Sequence, residues 1–274
     1  MDTETALFDI EVKLMLEAVF LRYQHDFRDY APTSLRRRMR QAMKQFGCDR
    51  LAQLQDRVLR EPDTFTQMLQ FFTVQVSEFF RDPAYFKALR DEVVPLLATY
   101  PSIKVWVAGC SSGEEVWSIA ILLAEVGLLE RTIIYATDIN VEALRKAEAG
   151  IFPLDRMALF SGNYLAAGGA GSLSDHCTSG YDHVVFDRRL KKQIVFADHS
   201  LATDSVFSEV HLVSCRNVLI YFNAKLQDRA VALFRDSLVH RGFLGLGSKE
   251  TLQFGQHARA FESLVAPQRI YRRL

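Results

Sequence analysis

The segment VWVAGCSSGEEVWSIAILLAE, residues 105–125, decides the fold. An apolar run leads into a turn of small residues and continues as an apolar helix, which is typical of the first strand–turn–helix unit of a nucleotide-binding sheet. The turn contains only Gly109 and Gly113, so the dinucleotide fingerprint G-x-G-x-x-G and the lysine of a P-loop are both missing. The segment therefore predicts an α/β domain whose first turn is not built for phosphate.

Two carboxylates, Glu114 and Glu115, follow this turn directly. At a helix N-terminus they suit the helix dipole, which by itself could explain both of them. They would also repel a pyrophosphate and attract a ligand with a cationic end. S-adenosylmethionine has no phosphate and carries a sulfonium and an amine, so it agrees with the glycines and with the acids. We expect Glu114 to make the contact, and an NAD-dependent dehydrogenase is disfavoured.

Apolar runs alternate with helical segments further along the chain. RTIIYATDIN ends one run at Asp138, a helix up to Gly150 follows it, and EVHLVSCRNVLIYF and GFLGLGSKE contain later strands. This alternation predicts parallel βαβ units and a doubly wound sheet. Between them, YDHVVFDRRLKKQIVFADHS predicts two short strands around a basic turn, Arg188–Lys192, which we interpret as a small antiparallel insertion.

Polar residues follow two of the predicted strands. Asp138 lies where a carboxylate can accept hydrogen bonds from both ribose hydroxyls of an adenosine ligand, and it could also cap the next helix. Arg216 and Asn217 lie at the sheet edge where open α/β sheets bind ligands, although Asn217 could equally be a helix N-cap. Before the first strand, Ser77 and Arg81 are four residues apart and could share a helix face.

Residues 1–70 are predicted to be helical, and SLRRRMRQAMKQF is the clearest segment. Thr33 or Ser34 is its expected N-cap. One helix face is shared by five apolar residues: Leu35, Met39, Ala42, Met43 and Phe46. The opposite side carries basic residues: Arg36, Arg37, Arg40 and Lys44. Such a run is most often a solvated face, but its single sign on a chain of zero net charge favours an acidic partner surface.

Composition and charge exclude several classes of protein. The 274 residues are 49% apolar and 24% charged, as in ordinary globular proteins. The formal net charge is zero, which gives no reason to expect a nucleic-acid partner. No apolar run predicts membrane insertion and the acidic N-terminus does not resemble a signal peptide, so a cytoplasmic location is expected. The four cysteines lie far apart, which disfavours a zinc site and a disulfide framework.

Together these motifs resemble the chemotaxis receptor methyltransferase (CheR) family. The resemblance covers nearly the whole chain, in order, through SEFFRDPAYF, VWVAGCSSGEEVWSIAILLAE, ATDIN, VFADHSLA, CRNVLIYF and GSKE. It implies an all-helical N-terminal domain over 1–72, a linker over 73–94 that contributes to the cofactor site, and a Rossmann-like S-adenosylmethionine domain over 95–274. An antiparallel β-subdomain would be inserted at about 160–195. The implied activity is protein-glutamate O-methylation of the cytoplasmic helical bundle of chemoreceptors, with S-adenosylhomocysteine as the product.

The resemblance also implies the residues of the site. Cofactor contacts are implied for Gln75, Ser77, Arg81, Glu114, Asp138, Ser200, Leu201, Asn217 and Val218. At 75, 77 and 200 this chain departs from the Asn, Thr and Asn of the family pattern but retains hydrogen-bonding groups. Tyr221 is the implied active-site tyrosine, and Arg81 would order the cofactor or the incoming carboxylate. The implied substrate-binding residues are Arg36, Arg37, Arg40 and Lys44. The GSKE motif receives no role.

Two other functions agree with the same motifs. A methyltransferase acting on small molecules or RNA would retain Glu114, Asp138 and the turn, but would not need the basic helix. A non-enzymatic signalling module would bind S-adenosylmethionine or S-adenosylhomocysteine as a sensor and methylate no receptor. In each case no metal is expected, and the chain is expected to be a monomer.

Overall fold

The computed structural model describes residues 3–73, 77–252 and 255–274. The chain divides into two compact units. The first comprises Met1–Gln75, Ser200–Asp204 and Tyr221–Ala230, and the second comprises Val76–His199, Ser205–Ile220 and Val231–Leu274. Compactness does not show that a unit folds independently, so the domain boundaries expected at residues 72 and 94 stay predictions.

The described residues 3–72, which make up most of the first unit, form helices. Their bounds are α1 (Thr3–Tyr23), α2 (Pro32–Phe46), α3 (Leu51–Arg60) and α4 (Pro62–Phe72). The predicted N-cap of α2 is wrong: the helix begins at Pro32, Ala31 is the N-cap, and no side chain caps it. Proline is favoured at the first helical position because its missing N–H has no helical acceptor to lose. The helix ends at Gly47, whose φ of 64° is a left-handed conformation.

The buried face of α2 agrees with its apolar periodicity over the first three apolar residues, whereas the last two are half-buried, and there is one addition. Leu35, Met39 and Ala42 are buried as predicted, and Arg38 is buried beside them. Around this face the unit packs aromatic rings, with Phe27 stacked on Phe72 at 4.2 Å between centroids. The first unit therefore contains a charged side chain in a layer that the sequence pattern assigns to apolar residues.

The second unit is built on a mixed β-sheet and a smaller sheet. The strands along the chain are β1 (Ile103–Ala108), β2 (Thr132–Asp138), β3 (Ile151–Pro153), β4 (Cys177–Ser179), β5 (His183–Phe186), β6 (Ile194–Asp198), β7 (Val210–Cys215), β8 (Leu238–Leu246), β9 (Phe261–Val265) and β10 (Ile270–Arg273). In the described part of the chain, the larger sheet has the order β6-β2-β1-β7-β8-β10-β9. Neighbours from β6 to β8 are parallel, and β10 is antiparallel to β8 and β9. The predicted α/β class is confirmed.

Helices connect these strands. The remaining helices are α5 (Pro83–Ala88), followed by a π-helical turn (Leu89–Val93), α6 (Val94–Leu97), α7 (Glu114–Glu125), α8 (Val141–Ala149), α9 (Met157–Ala166), α10 (Arg188–Lys191) and α11 (Ala224–Ser237). Helix α7 is apolar on all sides and almost wholly buried, as expected for a helix packed between other elements. Its Trp117 indole donates a hydrogen bond to the Ala147 carbonyl at 2.9 Å.

The small antiparallel sheet is present, but its composition differs from the prediction. Its order is β3-β5-β4, whereas β6 pairs with β2 at the edge of the larger sheet. The expected pairing of the two strands around the basic turn is therefore wrong. Asp187 caps the short helix α10 at this place, so the chain turns away from β5 and does not form a hairpin. Strand β6 then covers an edge of β2 that would otherwise present unpaired backbone groups.

Among the described residues, no helix is long and apolar enough to span a membrane.

Candidate active site

The turn after β1 lies against the ends of two neighbouring elements. Gly109 and Gly113 have φ of 72° and 96°, a region that other residues rarely adopt. A Cβ atom at Gly109 would lie 2.5 Å from Val218 Cγ2, and one at Gly113 would lie 2.8 Å from the Ala147 Cα. The turn motif by itself predicts that these glycines let an adenosyl ligand approach the backbone. The structure shows that packing within the protein already requires them.

Glu114 is the more buried acid of the pair. Its side chain is in the first turn of α7, the residue is 6% exposed, and the Ser112 hydroxyl donates to its Oε2 at 2.7 Å. Within residues 3–73, 77–252 and 255–274, no cation forms an ion pair with it. A buried carboxylate normally requires a compensating charge or hydrogen bonds. The arrangement fits a ligand ammonium group, such as the amine of S-adenosylmethionine.

Glu115, by contrast, already belongs to a buried polar network. Its Oε1 accepts from the Ser214 hydroxyl at 2.6 Å and its Oε2 accepts from Arg216 Nη1 at 3.1 Å. Arg216 Nη2 also donates to Asp82 Oδ2 at 2.7 Å. The Arg216 side chain is 1% exposed, so these two carboxylates have to compensate its buried positive charge. Glu115 and Arg216 therefore hold the protein together and are not available to a ligand.

Asp138 connects the turns after β1 and β2. Its Oδ2 accepts from the Ser111 backbone N–H at 2.8 Å, and its Oδ1 accepts from the Asn140 backbone N–H at 2.9 Å. Burial raises the pKa of this carboxyl, while the backbone hydrogen bonds act in the opposite direction. The cap of α8 is Asn140, so the alternative that Asp138 caps this helix is wrong. The Ile139 backbone N–H is a third donor, so the carboxylate retains about one of its roughly four lone pairs for a ribose hydroxyl.

The turn after β7 is held by a residue that sequence reasoning missed. Asn217 has φ of 60°, and the Glu250 carboxylate accepts from the backbone N–H groups of Asn217, Val218 and Leu219 at 2.7–2.9 Å. It also accepts from the Gly247 N–H at 2.6 Å. Glu250 is the acid of the GSKE motif, to which no role was assigned. The GSKE motif is the sequence signal for this role. The backbone groups that Glu250 binds after β7 lie about thirty residues earlier in the chain, so the motif alone does not identify them.

Arg81 lies in a strained segment and not on a helix. Phe80 and Asp82, on either side of it, have φ of 49° and 55°. The Phe80 side chain is fully buried, and the Arg81 carbonyl accepts from Arg216 Nη2 at 3.0 Å. Helix α5 begins only at Pro83, so the expectation that Ser77 and Arg81 share a helix face is wrong. Strained backbone that the surrounding structure holds in place is frequent at functional sites. Gln75 lies outside the described residues.

The other predicted site residues belong to the first unit. Ser200 donates its backbone N–H to Asp204 Oδ2 at 2.9 Å, and Leu201 is buried. Tyr221 is half-buried, and its carbonyl accepts from the Ala31 N–H at 2.8 Å. Four of the residues predicted in the second unit lie at or after the carboxyl ends of the adjacent strands β1, β2 and β7: Glu114, Asp138, Asn217 and Val218.

The four basic residues of α2 have different surroundings. Arg36 forms a two-pronged ion pair with Asp9, with 2.8 Å between Nη2 and Oδ2. Arg40 is exposed, and its guanidinium lies 4.7 Å from the Phe8 ring centre. Arg37 and Lys44 are also exposed. Three of the four therefore offer charge at the surface, while Arg36 is already neutralised by an internal partner.

Comparison with known proteins gives a consistent result. The family model for the CheR methyltransferase SAM-binding domain matches residues 75–270, and the model for the CheR methyltransferase all-alpha domain matches residues 10–73. A putative methyltransferase, Cher3, of Pseudomonas putida is 57% identical over 265 residues, 97% of each chain. A chemotaxis protein methyltransferase of Borreliella burgdorferi is 33% identical over 187 residues, 64% of each chain. Magnesium protoporphyrin IX methyltransferase from Synechocystis is 18% identical with a TM-score of 0.37 over 73% of this chain and 86% of that one, which is too distant to argue from.

Proposed function

Because the chain belongs to the CheR methyltransferase family, we propose that it transfers a methyl group from S-adenosylmethionine to glutamate side chains on the cytoplasmic helical bundle of chemoreceptors. The family makes it an S-adenosylmethionine-dependent methyltransferase, and the glutamate substrate is the proposed part. One observation supports the cofactor part of the proposal: the Glu114 carboxylate is buried, has no cationic partner among the described residues, and directly follows a turn without the glycines or lysine of a phosphate-binding loop.

The chain offers complementary groups for each part of the cofactor. Glu114 would hold the methionine amine, and Asp138 would accept hydrogen bonds from the ribose. Asn217 and Val218 would line the adenosyl part, with their backbone held by Glu250. The resemblance adds Gln75, Ser77, Arg81, Ser200 and Leu201 as further contacts. When bound, S-adenosylmethionine supplies an electrophilic methyl group on a sulfonium and becomes S-adenosylhomocysteine.

The proposed substrate needs little acid–base help. A free glutamate has a pKa near 4.3, so its carboxylate is already an anion at pH 7. The residues of the site would therefore act by holding a carboxylate oxygen in line with the methyl group and by replacing water with fixed dipoles. Tyr221 would donate a hydrogen bond to the substrate carboxylate, and Arg81 would orient the carboxylate or the cofactor. Both roles are proposals from the family motifs.

The proposed partner is an acidic receptor helix. The exposed cations of α2, Arg37, Arg40 and Lys44, would attract the carboxylates of such a helix and increase the rate of encounter. Arg36 belongs to the predicted binding surface and would contribute by linking α2 to α1 through its ion pair with Asp9. A cytoplasmic location and a monomeric state belong to the same proposal.

A labelled-methyl assay tests this function. The full chain is incubated with radiolabelled S-adenosylmethionine and cytoplasmic fragments of chemoreceptors, and base-labile methanol is measured. We expect label in the fragment and none in a control fragment whose methylation-helix glutamates are replaced by alanine. Cofactor binding without any label would favour the sensor function. Label that persists in the control fragment, or appears only in another class of molecule, would favour a different substrate.

A further inference from the structure

Arg38 is the residue of α2 whose surroundings the proposed function does not explain. Arg37 and Arg40 are exposed and Arg36 is half-buried, but Arg38 is 4% exposed. It lies in the apolar layer beside Leu35 and Met39. Its Nη1 donates to the Phe72 carbonyl at the end of α4. The residue therefore cannot serve the exposed basic surface of the same helix.

The buried guanidinium is poorly compensated. No carboxylate forms an ion pair with Arg38 among the described residues, and its buried Nη2 has no hydrogen-bond partner there. Burial lowers the pKa of Arg38, the direction expected for a cation that has lost water without gaining an anion. An apolar side chain of similar size at such a position usually costs less free energy. The stability of the helix bundle alone therefore does not explain an arginine here.

The notable neighbour of Arg38 is Tyr221. The guanidinium carbon lies 4.6 Å from the centre of the Tyr221 ring, a cation–π contact. The main chain of Tyr221 is already held, because its carbonyl accepts from Ala31 and the adjacent Phe222 forms a β-bridge with Tyr30. These contacts leave the side-chain torsions of Tyr221 free. The cation–π contact with Arg38 restricts these torsions, and the hydrogen bond to the Phe72 carbonyl in turn restrains Arg38.

We propose that Arg38 is a positioning residue, which holds the Tyr221 ring so that its hydroxyl points at the substrate carboxylate. The inference rests on the proposed role of Tyr221 in methylation. It separates α2 into two functions: exposed cations that face the partner, and one buried cation that orients the tyrosine. Arginine suits this position because its planar guanidinium stacks on a ring while its edge donates to a carbonyl.

A double-mutant cycle tests the proposal. In the full chain, Arg38→Met, Tyr221→Phe and the double variant are assayed with a receptor fragment. We expect Arg38→Met to lower kcat by about tenfold to a hundredfold, the size of effect that follows from a misplaced group, with KM for the fragment little changed. The double variant should be no slower than Tyr221→Phe alone, because Arg38 acts through the hydroxyl that is then missing. Arg38→Lys should recover part of the loss, since it retains a cation near the ring.

Two controls separate positioning from simple loss of stability. Val58→Ala removes fully buried carbon from α3 of the same unit and should lower the melting temperature without lowering kcat. Affinity for S-adenosylhomocysteine, measured by calorimetry, should be within about twofold of the original in all variants, a change well under 1 kcal/mol. A kcat loss in Arg38→Met that merely matches that of Val58→Ala would show a structural role and overturn the proposal.

Failure of the proposal is distinguishable from failure of the proposed function. If the losses from Arg38→Met and Tyr221→Phe multiply, Arg38 does not act through Tyr221. If Tyr221→Phe leaves kcat unchanged while methylation continues, the inference fails and the methyltransferase function stands. If the original chain methylates no fragment, the proposed function fails and the positioning role fails with it, while fluorine NMR of 3-fluorotyrosine at position 221 still tests the contact itself: Arg38→Met should shift and broaden the resonance. An unchanged resonance would contradict the contact on which the inference depends.

Discussion

Glu114 and Glu115 are neighbours in the sequence but have opposite surroundings. The carboxylate of Glu114 accepts from a serine hydroxyl and has no cation among the described residues, whereas Glu115 accepts from both Ser214 and Arg216. Consecutive side chains of an α-helix point about 100° apart around its axis. The two carboxylates therefore face different surroundings, and we expect one to face the ligand and the other to face the protein interior. The pair therefore offers a matched comparison within a single helix turn.

Replacing each acid by glutamine should separate binding from stability. Glu114→Gln should weaken S-adenosylhomocysteine binding by about 1–3 kcal/mol, roughly 5- to 150-fold, because it removes the charge that faces the amine. Glu115→Gln should instead lower the free energy of unfolding by about 3 kcal/mol, since Arg216 would lose one of its two carboxylates while buried. Calorimetry and urea unfolding measure the two effects. Equal loss of affinity in both variants would contradict the assignment of roles.

The arginines of helix α2 are close together in the sequence but differ in solvent exposure. Leu35, Arg38 and Met39 are buried, and Arg37, Arg40 and Lys44 are exposed. Arg36 lies between these groups and pairs with Asp9. A substitution in this helix therefore has a different consequence at each position, although the side chains carry the same charge.

Charge reversal on the exposed side of α2 should affect the substrate and not the cofactor. The double variant Arg37→Glu and Arg40→Glu should lower kcat/KM for an acidic receptor fragment by at least about tenfold at low salt, and the difference should shrink as salt screens the charges. Affinity for S-adenosylhomocysteine should be unchanged. The matched control reverses two other exposed arginines, Arg188 and Arg259, and should leave kcat/KM within about twofold. Equal losses in both double variants would remove α2 from the partner surface.

A charged cluster links several elements of the second unit at the C-terminal end of α7, opposite the end that carries Glu114. Glu125, the last residue of α7, accepts from Arg90 Nη2 at 2.5 Å and from the Tyr164 hydroxyl, and His176 Nε2 lies 3.7 Å from its Oε1. Burial acts to raise the pKa of Glu125, but the hydrogen bonds from His176, Tyr164 and Arg90 outweigh it and lower the pKa to about 2. The ionised form of Glu125 is thus the one that stabilises the unit.

The stability of the whole molecule should therefore fall in acid partly through Glu125. Its pKa is near 4.5 in the unfolded chain and about 2 in the folded chain, so its contribution is complete above about pH 4.5 and disappears as the pH falls through 2. The contribution at neutral pH is at most about 3 kcal/mol. Denaturant unfolding should show Glu125→Gln to be less stable than the original chain at pH 6, with the difference closing toward pH 2. A constant difference across this range would show that the ionised carboxylate contributes nothing.

Several features of the fold were predictable because they depend on residues close together in the chain. The alternation of apolar runs and helices predicts the parallel strands β2, β1 and β7. The positive φ angles in the first turn occur at Gly109 and Gly113, and glycine is the residue type that favours such angles. The periodicity of α2 predicts its buried Leu35, Met39 and Ala42. Local pattern is sufficient here because helix and strand periods are properties of consecutive residues.

Only the tertiary structure decided which groups meet. Glu115 and Arg216 are 101 residues apart, and their pairing makes one of two adjacent acids internal. The same holds for Glu250 beneath the turn at Asn217, for β6 at the edge of the larger sheet, and for the guanidinium of Arg38 against Tyr221. By itself the sequence determined the α/β class, the helical N-terminal region and a first turn not built for phosphate. The partner of each buried charge could be identified only from the fold. A buried charge is stabilised by groups within a few ångströms of it in space, and these groups can be distant in the sequence.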